Sequence, residues 1–161
     1  MHKIMNCLWF DTEAEEAARF YASVFRNTEL GKVRNAPAGG EPHTTAGQVI
    51  TSEVTIEGQH FVLLNGGKHA DGKPNDAVSF QIMCEDQQEV DEYWNKLLDG
   101  GGREVQCGWI KDRYGFAWQI VPKVLLELGY GPDREAGKRV MSAMMKMVKL
   151  DVAALEAAAR G

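Results

Sequence analysis

One order of secondary-structure signals occurs twice along this chain, and that repetition limits the fold more than any single motif does. Residues 3–10 (KIMNCLWF) are a short apolar run closed by Asp11, the pattern of a buried strand. Thr12 and Glu15 have the spacing of a capping box, opening a helix that carries Ala17, Phe20, Tyr21, Val24 and Phe25 at helical intervals and ends near Arg26 and Asn27. Residues 28–36 alternate weakly, as an exposed strand does. Residues 36–47, with two prolines and paired glycines, read as a loop. Residues 48–56 alternate, Glu57-Gly58 turns the chain, and 60–64 return as an apolar strand.

After a glycine- and lysine-rich connector at 65–76 the order recurs. Residues 78–84 read as a strand, and Asp86 with Glu89 makes a second capping box. The helix behind it runs through Val90, Tyr93, Trp94, Leu97 and Leu98 until Gly100, Gly101 and Gly102 stop it. Residues 103–110 supply one or two short strands, 111–115 a turn and 116–121 a last strand. Each helix also carries an aromatic pair, Phe20-Tyr21 and Tyr93-Trp94. The repeat is one of β-α-β-β-β units, not of sequence identity. The expected organisation is one α+β domain over 1–161, with module one at 3–65, module two at 77–122 and a helical tail at 123–161. In the tail, a short helix at 123–128 precedes a Gly-Tyr-Gly-Pro break, a helix at 135–150 and a last helix capped by Asp151.

At 161 residues the chain has room for a sizeable core without a disulfide or metal staple. A net charge of −5 argues against nucleic-acid and anionic-membrane partners, both of which need clustered positive charge. No run approaches the roughly 20 apolar residues of a membrane span. The three cysteines, Cys7, Cys84 and Cys107, include no CxxC pair and fit reduced thiols in a cytoplasm. Cys7 and Cys84 fall in apolar strands and read as buried, Cys107 as more accessible.

Motifs for specific chemistry are weak. Residues 67–73 match GxxxxGK, but Pro74 stands where a Ser or Thr would hold magnesium, and a strand follows where a helix should. The four histidines, His2, His43, His60 and His69, have no zinc spacing. Glu13, Glu15 and Glu16 cluster where a helix N-terminus already favours negative charge. Met141, Met144, Met145 and Met147 suit a core or subunit contact.

The paired modules, with FY on the first helix and Asp112-x-x-Gly115 before the last strand, resemble the vicinal oxygen chelate (glyoxalase/bleomycin-resistance) superfamily. The stretches CLWFDTEAEEAARFYASVF, LNGGKH, SFQIMCEDQQEVDEYW, GWIKDRYGFAWQIVP and RVMSAMMKM resemble its PhnB-like family, often labelled 3-demethylubiquinone-9 3-methyltransferase. The resemblance implies a glyoxalase/bleomycin-resistance-like fold in which paired βαβββ modules form a half-barrel sheet, commonly completed in a homodimer. Metal-dependent members carry His, Gln or Glu at one point on the first and last strand of each module. Those points fall here on Met5 or Asn6, on Leu63 or Asn65, on Ser79 and on Gln119. None is His, Asp or Glu, so the expectation is no metal and no cofactor. A methyl-donor site would need a glycine-rich turn between a parallel strand and a helix, and the glycine clusters lie elsewhere.

What remains is a candidate ligand-binding set: Met5, Cys7 and Trp9 on one face of the first strand, Asn65, and Ser79, Gln81, Trp109 and Gln119 from module two. It is apolar and aromatic with a few uncharged hydrogen-bonders, the make-up of a small-molecule site. The same residues could equally fill a closed core. The readings stand in order: a homodimeric binder of an unknown small molecule; an enzyme with an unusual metal site or none, assisted by Cys107, His60 or His69; and a structural homodimer without ligand.

Overall fold

The computed structural model describes residues 3–37, 45–68 and 74–161. The chain separates into two compact units, Met1–Lys73 and Pro74–Gly161. His2, His43 and His69, and most of the GxxxxGK stretch, lie outside the described residues.

The first unit runs β1 (Asn6–Phe10), α1 (Ala14–Val24), β2 (Thr28–Asn35), β3 (Val49–Ile56) and β4 (Gln59–Asn65). Its strands form one sheet in the order β1-β4-β3-β2, with β1 parallel to β4 and the other neighbours antiparallel. The turn between β3 and β4 is Glu57-Gly58, both at positive φ, as a two-residue hairpin connection requires. One face of the sheet packs on α1. Leu8, Phe10, Val54, Ile56, Phe61 and Leu63 lie on that face with at most 7% exposure, against Ala14, Ala17, Tyr21 and Val24 of the helix. Each fully buried large side chain of this kind contributes about 1.5–3 kcal/mol relative to exposure.

The start of α1 differs from expectation. Thr12 and Glu15 form no capping box; Glu13 is the N-cap and its side chain makes no cap hydrogen bond. The Ala14 N–H instead donates to Asn65 Oδ1 at 2.8 Å, from the end of β4. A partner 51 residues away has displaced the local one.

The second unit repeats the plan: β5 (Ser79–Cys84), α2 (Gln87–Leu98), β6 (Arg103–Glu104), β7 (Trp109–Lys111) and β8 (Ala117–Pro122), in the order β5-β8-β7-β6. Here the N-cap half of the box forms, with Asp86 Oδ1 accepting from the Glu89 N–H at 2.9 Å. Glu89 Oε2 accepts from the Glu85 N–H at 2.8 Å. Ile110, Trp118, Ile120 and Cys84 pack with Val90, Trp94 and Leu97 of α2.

Three helices follow, α3 (Lys123–Gly129), α4 (Arg134–Met144) and α5 (Val152–Arg160). The tail helix expected over 135–150 thus stops at Met144. Residues 147 and 148 are taken up by the turn before β7, whose Cys107 and Gly108 N–H groups donate to Met147 O and Val148 O, each at 2.8 Å. Met141, Met144 and Met147 pack against a cluster of Val121, Leu125, Val140, Leu150 and Leu155, while Met145 is 63% exposed. Asp151 caps α5 as expected, accepting from the Ala154 N–H at 2.8 Å.

Candidate functional site

Each sheet packs one face on the helix of its unit and leaves the other open, except at Val121 of β8, which the tail-helix cluster buries, and strand alternation decides which residues reach the open face. In the second unit, Ser79 and Gln81 of β5 stand beside Ala117 and Gln119 of β8, and Gln119 stands beside Trp109 of β7. All four expected residues of module two therefore share the open face. Gln119 Nε2 donates to Ser79 Oγ at 2.7 Å, and Gln81 Nε2 donates to Gln119 Oε1 at 3.0 Å. Gln81 is exposed, and Ser79, Trp109 and Gln119 are half-buried. At the margin of this face Lys111, only 5% exposed, pairs with Asp76.

In the first unit, Cys7 and Trp9 lie on the open face with Val62 and Leu64 of β4 and Thr51, Glu53 and Thr55 of β3. Cys7 is exposed, contrary to the buried position expected of it, because its alternation places it away from α1. The sheet around it still desolvates the thiol enough to push its pKa above the ordinary value. Met5 precedes β1 and is 49% exposed. The Trp9 indole lies against Gly66, where a Cβ would overlap the ring, and its Nε1 donates to Gly67 O at 2.8 Å.

Two expected positions of module one lie on the helix-covered side. Leu63 and Asn65 alternate with the open-face residues of β4 and point toward α1. Asn65 also spends its amide on structure, accepting from the Ala14 N–H and donating from Nδ2 to Val49 O at 3.0 Å. The β4 residues that do reach the open face are His60, Val62 and Leu64.

Three further residues on that face escaped the sequence reading. Glu53 pairs with Arg34 across β3 and β2. The Arg34 guanidinium and the Lys32 backbone N–H hold its carboxyl below the usual carboxylate range. It thereby fastens β2 at the irregularity between Leu30 and Val33. Thr51 Oγ1, opposite Leu64, is buried without a hydrogen-bond partner. The polar residues at 51, 53 and 55 of an alternating segment were the available signal.

The Asp112-x-x-Gly115 motif is structural. Asp112 is 2% exposed; its Oδ1 accepts from the N–H groups of Tyr114 and Phe116 at 2.9 and 3.0 Å, and its Oδ2 from Trp118 Nε1 at 2.9 Å. Cys84 is fully buried, which pushes its thiol up to about 12.

The sequence profile of the family described as 3-demethylubiquinone-9 3-methyltransferase matches residues 2–121. The chain belongs to this PhnB-like family. Among solved structures, the PhnB protein from Bacillus cereus is 28% identical, with a TM-score of 0.66, covering 75% of this chain and 99% of that one. Protein PA1353 from Pseudomonas aeruginosa is 17% identical (TM-score 0.54, 76% and 98% covered). The fosfomycin resistance protein FosX from Listeria monocytogenes is 16% identical (TM-score 0.55, 78% and 94% covered). These likenesses place the fold among glyoxalase/bleomycin-resistance-like structures. No curated protein matches the chain.

Metal-dependent members of the superfamily hold a divalent cation, and the donors on the open face of the second unit do not fit one. They are a hydroxyl and two carboxamides already bonded to one another, whereas such a cation needs anionic or imidazole ligands. Among the described residues, no three His, Cys, Asp or Glu side chains come together. Nor is any helix among them long and apolar enough to cross a membrane.

Proposed function

We propose that this PhnB-like protein is a homodimeric small-molecule-binding protein that works without a bound metal ion. The observation that carries the reading is the hydrogen-bonded row Ser79–Gln119–Gln81 beside Trp109, a neutral polar strip next to an aromatic surface on an open sheet face. A few convergent hydrogen-bonders on an apolar, aromatic wall is how small-molecule sites are built. Cys7 and Trp9 add a second open face of similar make-up in the first unit.

The methyltransferase label attached to the family finds no support in the strand-to-helix turns. A nucleotide-like methyl donor is held by a glycine-rich turn at a helix N-terminus. The turns here are Asp11-Thr12-Glu13 before α1 and Glu85-Asp86 before α2, acidic and without glycine. Dimerisation is supported by large apolar side chains left in water, Ile4 at 89%, Val78 at 69% and Tyr130 at 74%.

Native mass spectrometry of protein purified without added metal, together with elemental analysis, tests the reading. The expected result is a dimer without stoichiometric divalent metal, carrying small-molecule mass that is reduced in Gln119→Ala. A stoichiometric divalent metal would overturn it and bring an enzymatic role to the front.

A further inference from the structure

The hydrogen-bonding capacity left over on the open face of the second unit narrows what that face can hold. The Gln119 amide already uses its oxygen toward Gln81 and one N–H toward Ser79. The row keeps the second N–H of each carboxamide, the Gln81 carbonyl oxygen and the Ser79 hydroxyl hydrogen. Donors and acceptors therefore stand side by side, all on groups without charge. The ring of Trp109 occupies the next strand at the register of Gln119.

Full charges on this face sit at one end. Lys111 shares a row with Ala117 and Ser79 but is covered and paired with Asp76. Arg103 stands opposite Lys111 on the outermost strand, β6, and is exposed. A carboxylate or ammonium brought onto the Gln81–Gln119–Trp109 row would lose hydration without meeting a counter-charge there. A neutral amide loses much less and regains it bond for bond.

We infer that this face takes an uncharged, planar molecule whose edge carries a hydrogen-bond donor beside an acceptor, as a carboxamide or lactam does, with its ring laid against Trp109. The inference rests on the small-molecule reading above and names the class of ligand. The two glutamines read the donor–acceptor edge, and the indole supplies stacking area. Because a carboxamide can turn by half a rotation, the pair accepts the edge in either order.

The test uses one ring in three charge states, benzamide, benzoate and benzylamine, titrated into the full-length 15N-labelled protein. The side-chain amide signals of Gln81 and Gln119 and the indole signal of Trp109 are followed, with Gln119→Leu as the comparison variant. Benzamide is expected to shift all three signals saturably, at least about tenfold more tightly than either charged analogue and about tenfold more tightly than in Gln119→Leu. Benzoate or benzylamine binding these signals as tightly as benzamide would overturn the ligand class while leaving small-molecule binding in place. Silence of all three signals toward every probe would also overturn the class. If the purified protein then carried no small molecule by native mass spectrometry, the binding reading itself would fall with it.

Discussion

Asp112→Asn separates a structural from a catalytic role for the Asp112-x-x-Gly115 motif. The native carboxylate presents two oxygens to three donors, the Tyr114 and Phe116 N–H groups on one side and Trp118 Nε1 on the other. Asparagine has one oxygen. If it serves the two backbone donors, its NH2 group faces the indole N–H, donor against donor, where Trp118 is 3% exposed. A hydrogen bond to a charged acceptor contributes about 1.5–3 kcal/mol, and leaving its buried donor unsatisfied costs a comparable amount. We expect Asp112→Asn to lose about 2–4 kcal/mol, and Asp112→Ala more, since it abandons three donors. Against a typical total of about 5–15 kcal/mol the Ala variant risks not folding, so the Asn variant carries the test. Urea unfolding followed by tryptophan fluorescence should show the midpoint falling by about 1–2 M with the slope unchanged. Pairing Asp112→Asn with Trp118→Phe should give a coupling of about 1–2 kcal/mol, because removing the indole N–H removes the clash. A midpoint equal to that of the native protein, or zero coupling, would refute the structural assignment.

Asn65→Ala should cost about 1–2 kcal/mol, through the lost cap of α1 and the lost tie to Val49, with faster hydrogen exchange at the Ala14 amide. Cys107 has φ 60° beside Gly108 at φ 81° in a tight turn where asparagine is the preferred first residue. Cys107→Asn should therefore raise stability by up to about 1 kcal/mol in calorimetry; a loss would mean that the Cys107 Sγ contact with Met145 Sδ at 3.8 Å outweighs the backbone strain. Glu53 has its carboxyl held low by Arg34 and by the Lys32 N–H, so its contribution is complete at neutral pH and is lost as pH falls through the lowered value. The stability difference between the native protein and Glu53→Gln should accordingly shrink below about pH 4, and a difference that is flat across that range would contradict the pairing.

The β-α-β-β-β order was legible because it is written in local signals: alternation, turn residues and glycine stops. What was not legible depended on partners far along the chain. Thr12–Glu15 and Asp86–Glu89 are equally good capping boxes on paper, yet only the second supplies its N-cap bond, because Asn65 arrives at α1 from β4. The end of α4 at Met144 was hidden in the same way, since residues 147 and 148 are drawn off by the N–H groups of Cys107 and Gly108. In β4 the obstacle was composition. Residues 61–64 (FVLL) are apolar on both faces, so alternation alone does not say which side meets α1, and a one-residue choice moves Leu63 and Asn65 to the covered face and His60 to the open one.

These outcomes divide by what each polar side chain bonds to. Asp112 in its D-x-x-G turn and Asn65 at the end of β4 lie in a turn or point toward α1, and they bond chiefly to backbone groups, Asp112 also to the Trp118 indole. Ser79, Gln81 and Gln119, by contrast, reach the open face of the second unit and bond to one another through their side chains. A side chain that satisfies the backbone has little freedom left for a ligand, whereas one satisfied by a neighbouring side chain can exchange that partner at low cost. What a side chain bonds to, backbone or neighbouring side chain, is therefore the guide to which residues are available to a ligand. By that criterion Glu53 belongs with Asn65, since its carboxylate serves the Lys32 N–H and Arg34, while the unpartnered hydroxyl of Thr51 belongs with the glutamines.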